Sequence, residues 1–253
     1  MTPKGGLITG AGSGMGHLAA RRALAAGWKV AALDVDDRGL DALGEHPGLL
    51  KCRTDITDFA AVQAAVAQCD AQLGPIDRLV NAAAIMPLGL LTEQPRDTMM
   101  KIMEINYGGL VNITQAVLPG MLARGRGEFV SFASMAGHWP ILYMGAYNAS
   151  KHAVVAFTEV LRHENRNSGV RFVCVCPPAV ATPLLQQGRD TRWPKMLDLV
   201  PPITPEAVLD DIERQLHRAR FWSFPGPVTR LSYVLRRWFP NILWWLVHRT
   251  EGR

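Results

Sequence analysis

The 253-residue sequence predicts an α/β fold: one doubly wound domain with a mostly parallel, about seven-stranded sheet and helices on both faces. Three observations predict it. Short apolar runs alternate with helical stretches of about 10–20 residues, the pattern of βαβ units around a buried parallel sheet. A glycine cluster, residues 9–16, falls between the first apolar run and the first helical stretch. Finally, the length and the 48% hydrophobic content suit one domain with a substantial core, and they exclude disorder, collagen and coiled coil.

The elements follow in order. Residues 6–9 read as the first strand and the Ala-rich stretch 15–26 as the first helix. Residues 29–33 form a second strand that ends in acid, and 49–52 a third. Residues 60–73 repeat with helical period, 78–84 are strand-like, and 99–122 read as one long helix. A strand at 128–132, a helix at 149–163 and a strand at 170–176 continue the alternation. Thr204-Pro205-Glu206 opens a helix through His217, with the threonine hydroxyl as N-cap and proline in the first helical position. Residues 221–224 give the last strand. No internal repeat interrupts the pattern.

Charge is unevenly distributed. The formal net charge is +5, but from Arg214 onward eight arginines face one acid, Glu251, making +7. The remaining 19 bases and 21 acids make −2, so a basic tail follows a nearly neutral body. Without a basic stripe on the body, nucleic acid is not an expected partner. Four scattered cysteines do not make a disulfide framework. Cys174 and Cys176 are expected on opposite faces of a strand, so all four are expected as reduced packing residues, and no metal site is expected. Met1-Thr2-Pro3-Lys4 is expected to lead straight into the first strand, with no signal peptide expected, and no apolar run reaches the roughly 18 residues of a membrane span. A cytoplasmic location is expected.

The chemistry begins in Thr9-Gly10-Ala11-Gly12-Ser13-Gly14-Met15-Gly16. Between a strand and a helix, such glycines allow a tight turn and a close approach of a pyrophosphate to the backbone. The helix N-terminus beyond adds free N–H groups and a positive dipole end. Asp34, 18 residues past Gly16, ends the second strand. An acid there accepts hydrogen bonds from the adenosine ribose and repels a 2′-phosphate, which favours NAD(H) over NADP(H). Tyr147 and Lys151, four residues apart, share one helix face. A free tyrosine, with a pKa of about 10, is a poor base, and the adjacent ammonium is expected to lower it.

Taken together, these motifs resemble the short-chain dehydrogenase/reductase family over about residues 5–185. The resemblance implies a Rossmann-type domain spanning 1–253 that binds NAD(H) through Gly10, Ser13, Gly14, Met15 and Gly16. It places Asp55 beside the adenine, next to Ile56. It also matches Asn81-Ala82-Ala83-Ala84 to a strand-end motif, and Pro177, Val180 and Thr182 to the segment beside the nicotinamide. Ser134 is implied to hold the substrate oxygen, Tyr147 to act as general acid/base, and Lys151 to tune Tyr147 and bind ribose. Asn106 is implied to order a water in the proton relay. Ala82 and Pro178 depart from the pattern. The first removes an amide that ties neighbouring strands; the second replaces a glycine and loses a backbone donor. A homodimer or homotetramer is the implied assembly.

The family's lid falls at 183–202, where Leu184, Leu185, Trp193, Met196 and Leu197 suggest an apolar alcohol or ketone as substrate. The extension 226–253 is basic and rich in tryptophan, and Pro240 is expected to break it into two short helices. Its stretch 228–250 either packs on protein or lies on a membrane surface as a peripheral contact. Two other functions stand beside the enzyme: an idle NAD(H)-binding sensor or scaffold, and a peripheral membrane protein acting through its tail.

Overall fold

A run of Val, Leu, Ile and Ala can form a strand only if both its faces are covered, and the molecule covers them with helices. The computed structural model describes residues 4–252. Met1 to Pro3 of the expected N-terminal lead, and Arg253 of the basic tail, lie outside the described residues. Seven strands form one all-parallel sheet: β1 (Gly5–Thr9), β2 (Lys29–Asp34), β3 (Leu49–Arg53), β4 (Ile76–Asn81), β5 (Gly127–Phe132), β6 (Val170–Val175) and β7 (Trp222–Ser223). Their order is β3-β2-β1-β4-β5-β6-β7, so the winding reverses between β1 and β4. Ligands of such sheets bind in the crevice at that reversal, beyond the carboxyl ends of the strands.

Helices α1 (Gly14–Ala25), α2 (Asp37–Asp41), α3 (Phe59–Leu73), α4 (Arg96–Met103), α5 (Gly109–Ala123), α6 (Gly145–Glu164), α7 (Pro183–Arg189) and α8 (Pro205–His217) connect the strands. On one face, Val62 of α3, Leu110 and Ile113 of α5 and Val154 of α6 pack on Leu7, Leu79 and Phe129. On the other, Ala20 and Leu24 of α1 and Val208, Leu209 and Ile212 of α8 pack on Ile8, Val30 and Val130. The Thr204 hydroxyl accepts from the Ala207 N–H, the expected N-cap of α8.

Several expectations need correction. The stretch 99–122 is not one helix: a π-helical turn, Glu104–Gly108, separates α4 from α5. Helix α2 has no counterpart in the sequence pattern; at five residues, capped by Asp36, it is too short to show a period. Helix α6 begins at Gly145 rather than 149, which takes Tyr147 into its first turn. Residues 82–84 leave the sheet after Asn81. Cys174 and Cys176 share a face, with their sulfurs 3.9 Å apart, because residues two apart in a strand point the same way. Both are buried free thiols.

The tail folds as α9 (Pro227–Trp238) and α10 (Pro240–Glu251), broken at Phe239 and Pro240 as the proline predicts. Its inner side packs on protein. Thr229, Leu243 and Val247 are buried, and Glu251 accepts from the Met196 N–H in the 3-10 turn Lys195–Leu199. No helix among the described residues is long and apolar enough to cross a membrane.

Candidate active site

The loop after β1 has little room for side chains. Gly10 has φ +67°, and a Cβ there would lie 2.7 Å from the Ala83 backbone nitrogen. A Cβ at Gly16 would collide with the Gly10 carbonyl, so only glycine lets α1 start so close to the loop. Ser13 is exposed at the N-cap of α1 and makes no side-chain capping bond. The N–H groups of the first turn, from Gly14, Met15 and Gly16, project from the positive end of the helix. Asp34 steadies the loop: its Oδ2 accepts from the Gly12 N–H at 2.8 Å and its Oδ1 from the Asp36 N–H at 3.0 Å. Each oxygen keeps a lone pair for a further donor. A glycine-walled cradle at a helix N-terminus, with a carboxylate at the neighbouring strand end, fits a dinucleotide.

Around this cradle stand the other matched residues. Asp55 is exposed at the end of β3, its Oδ1 accepting from the N–H and hydroxyl of Thr57, while Ile56 beside it is buried. Asn81 is buried and accepts from the Thr9 hydroxyl at 2.7 Å. The same Thr9 oxygen accepts from the Ala82 and Ala83 N–H groups at 3.2 and 3.3 Å. Thr9 thus supplies the tie between β1 and the loop after β4 that Ala82 was expected to lose. Its one signal in the sequence is a hydroxyl closing an apolar strand. After β6, the Pro177 carbonyl accepts from the Met135 N–H, and Val180 forms a parallel bridge to Ile203. A Cβ on Gly14 would lie 3.6 Å from the Thr182 Cβ, so this segment faces the start of α1.

Ser134, Tyr147 and Lys151 converge at the carboxyl end of β5. Ser134 Oγ accepts from the Ala136 N–H at 3.1 Å and is hydrogen-bonded to the Tyr147 hydroxyl. Lys151 donates to the Phe132 carbonyl at 2.8 Å, and its Nζ stands 5.7 Å from the centre of the Tyr147 ring. Both side chains are buried. Burial pushes Tyr147 up to about 12, with the Ser134 bond pulling the other way, and pushes Lys151 down to about 8. The expected lowering of Tyr147 by the lysine does not show: burial sets the direction, and Lys151 donates to the Phe132 carbonyl instead. Asn106, in the π turn, accepts from the Ile85 N–H and donates to the Ile85 carbonyl and to Ser150 Oγ. That leaves its Oδ1 one lone pair for a water. The wider turn aims Asn106 at α6, a placement that regular helical period does not reveal.

An apolar roof closes the pocket. Tyr147 packs with Met86, Leu88, Ala136 and Met144, and Ile141, Leu184, Trp193 and Leu197 pack against that cluster. The segment 183–202 is fastened by Gln187, which accepts from the Met86 N–H at 2.5 Å, and by Thr191, which accepts from the Leu88 N–H at 3.0 Å. Its charges are held away from the apolar cluster: Arg192 pairs with Glu93, and Asp198 meets Arg189 and the Trp193 N–H. A cavity of about 870 Å³ opens between Thr182, Pro183, Leu185, Gln186 and Arg189. Behind Ser134, His138 lies 3.4 Å from the Cys176 sulfur, among the rings of Trp222, Phe224 and Tyr233. Burial lowers His138 to about 4. Among the described residues, no group of three His, Cys, Asp or Glu side chains is placed to hold a metal.

Comparison with known proteins shows the family and the fold. Residues 4–193 match the short chain dehydrogenase family. The chain is 36% identical over 203 residues to 2-(R)-hydroxypropyl-CoM dehydrogenase of Xanthobacter autotrophicus, covering 77% of this chain and 80% of that one. It is 33% identical over 200 residues to glycine betaine reductase ATRR of Emericella nidulans, covering 76% of this chain but only 16% of that longer protein. Among solved structures, a short chain dehydrogenase/reductase of Burkholderia phymatum in complex with NAD superposes with a TM-score of 0.83 at 28% identity, over 95% of both chains.

Proposed function

The chain belongs to the short-chain dehydrogenase/reductase family, and from that premise we propose that it interconverts an apolar secondary alcohol and ketone, or alcohol and aldehyde, with NAD(H). One observation carries the reading: Ser134, Tyr147 and Lys151 converge on one pocket beside a glycine-walled cradle. When bound, the nicotinamide supplies or accepts the hydride. Tyr147 moves the proton at the substrate oxygen, and Ser134 holds that oxygen by a hydrogen bond. As burial keeps Tyr147 neutral, it is ready to donate in the reductive direction. In the oxidative direction it must first lose that proton, and Lys151, titrating near 8, is the adjacent group that can carry one near neutrality. Asn106 holds a water at the inner end of this relay with its remaining lone pair.

The cofactor would rest on Gly10, Ser13, Gly14, Met15 and Gly16, with Asp34 at the ribose and Asp55 and Ile56 toward the adenine. Asn81, Ala82, Ala83, Pro177, Val180 and Thr182 would flank the nicotinamide side. The Asp34 carboxylate favours NAD(H), because a 2′-phosphate beside it would meet a like charge. Residues 183–202 act as the lid, and the side chains it presses against Tyr147 favour an apolar substrate. The test is a panel of apolar alcohols and ketones followed by NADH absorbance. Turnover with NAD(H), and less with NADP(H), supports the reading. Tight NADH binding with no turnover of any panel member would make the chain a sensor or scaffold instead.

A further inference from the structure

We propose that the outward faces of α9 and α10 dock on an anionic lipid surface. Along α9, Val228, Leu231, Leu235 and Trp238 recur at three- and four-residue spacing and are all exposed. Helix α10 adds Ile242 and Trp245, again three apart. Trp238 is 70% exposed and Trp245 58%, far more than a tryptophan held by its own chain. Scattered exposed apolar residues are ordinary, but a row of them along two consecutive helices marks an interaction site.

This row is not needed to hold the tail. The tail's inner side does that: Tyr233 stacks on Phe224 at 5.0 Å and meets the His138 ring, and Leu243 and Val247 are buried. The reading of the tail as a protein-packing element is therefore met on its inner side, and an apolar row stays exposed on the other.

Charge chooses the occupant. Arg230, Arg237 and Arg249 are exposed on the same two helices, and none of them is ion-paired with a described residue. Arg249 stands over the Trp245 ring at 5.3 Å. Residues 226–252 carry four arginines against Glu251, whose carboxylate accepts from Met196. A second copy docking through the same face about a two-fold axis would set two basic tails against each other. An anionic membrane does the reverse: tryptophans sit at headgroup depth and arginines meet phosphates. As neither helix can span a bilayer, the tail lies in the plane of the interface. Helix α10 packs on the lid turn, and α9 on the residues just after Ser134. A docked tail therefore sits beside two walls of the pocket. That an apolar substrate enters from the lipid rests on the proposed dehydrogenase function; the docking itself does not.

The full chain is sedimented with vesicles of phosphatidylcholine alone or mixed with phosphatidylglycerol, at low and high salt. It is compared with Trp238→Ser/Trp245→Ser and Arg230→Glu/Arg237→Glu. All four positions are exposed, so circular dichroism and turnover of a water-soluble alcohol should match the parent. We expect the parent to bind only the anionic vesicles and to release as salt rises. Each double variant should bind at least about 10-fold more weakly. A parent that ignores anionic vesicles at low salt, or binding that survives both double variants, overturns the proposal. So does a fall in sedimenting mass of the lipid-free variants when the parent binds no vesicle; the face is then an interface between copies. Loss of turnover on every alcohol with vesicle binding intact would instead sink the dehydrogenase reading and leave docking standing.

Discussion

The two ends of the chain solve different problems with different materials. In the amino-terminal third, up to Ala83, the side chains and backbone groups that would meet a cofactor are fixed by hydrogen bonds: Asp34 on Gly12, Thr9 on Asn81, Ala82 and Ala83. In the carboxyl-terminal third, the lid and tail are held mainly by apolar contacts and a few polar fasteners such as Gln187 and Glu251. A cofactor common to many enzymes demands fixed geometry, whereas a roof over a particular substrate needs shape and the freedom to lift. Rigid polar positioning is therefore expected to control chemistry and cofactor choice, and apolar covering to control access.

That contrast can be broken by substitution. Lys151→Met keeps the length of the side chain but removes its charge and its donor to Phe132, so turnover should fall by about 10²–10⁴-fold at neutral pH. A loss under 10-fold in stopped-flow NADH traces would mean that Lys151 only packs. Asp34→Ala deletes charge-assisted bonds, which should weaken NAD binding by about 10- to 100-fold and improve NADP binding. Fluorescence titration of both cofactors checks this, and a parent that already prefers NADP would refute it. On the covering side, Gln187→Ala unfastens one neutral hydrogen bond to Met86. It should change KM about 2- to 10-fold and leave kcat nearly unchanged. A kcat effect larger than the KM effect would place the lid in the chemistry.

A smaller effect is a matter of pH. The folded chain holds His138 neutral down to about pH 4, whereas the unfolded chain protonates it near its ordinary value of 6.5. Its contribution to stability is therefore complete above about 6.5 and is lost as pH falls toward 4. His138→Phe, which keeps a ring among Trp222, Phe224 and Tyr233, should flatten that part of the curve of denaturation midpoint against pH. An unchanged slope would show that His138 is not the group refusing the proton.

The same contrast governs what could be read from the sequence. The parallel sheet was legible because strands buried on both faces leave unbroken apolar runs, and the cradle was legible because Gly10 and Gly16 admit no other residue. The π turn at Glu104–Gly108 was hidden because its residues keep a helical period, and α2 because five residues show none. Cys174 and Cys176 were misplaced by applying strand alternation to residues two apart. The pKa of Tyr147 could not be read from Lys151 four residues away. It is set by burial under Met86, Leu88 and a lid segment 37 or more residues further along the chain. Local spacing reports local geometry; desolvation is a property of the packed whole.

The central claim is that Tyr147 moves the proton while the cradle independently holds the cofactor. Tyr147→Phe tests it most directly, with NADH affinity and single-turnover rate measured on the same preparation. The account predicts NADH affinity within about 2-fold of the parent and a rate lower by about 10²–10⁴-fold. A rate within a few-fold of the parent would contradict it.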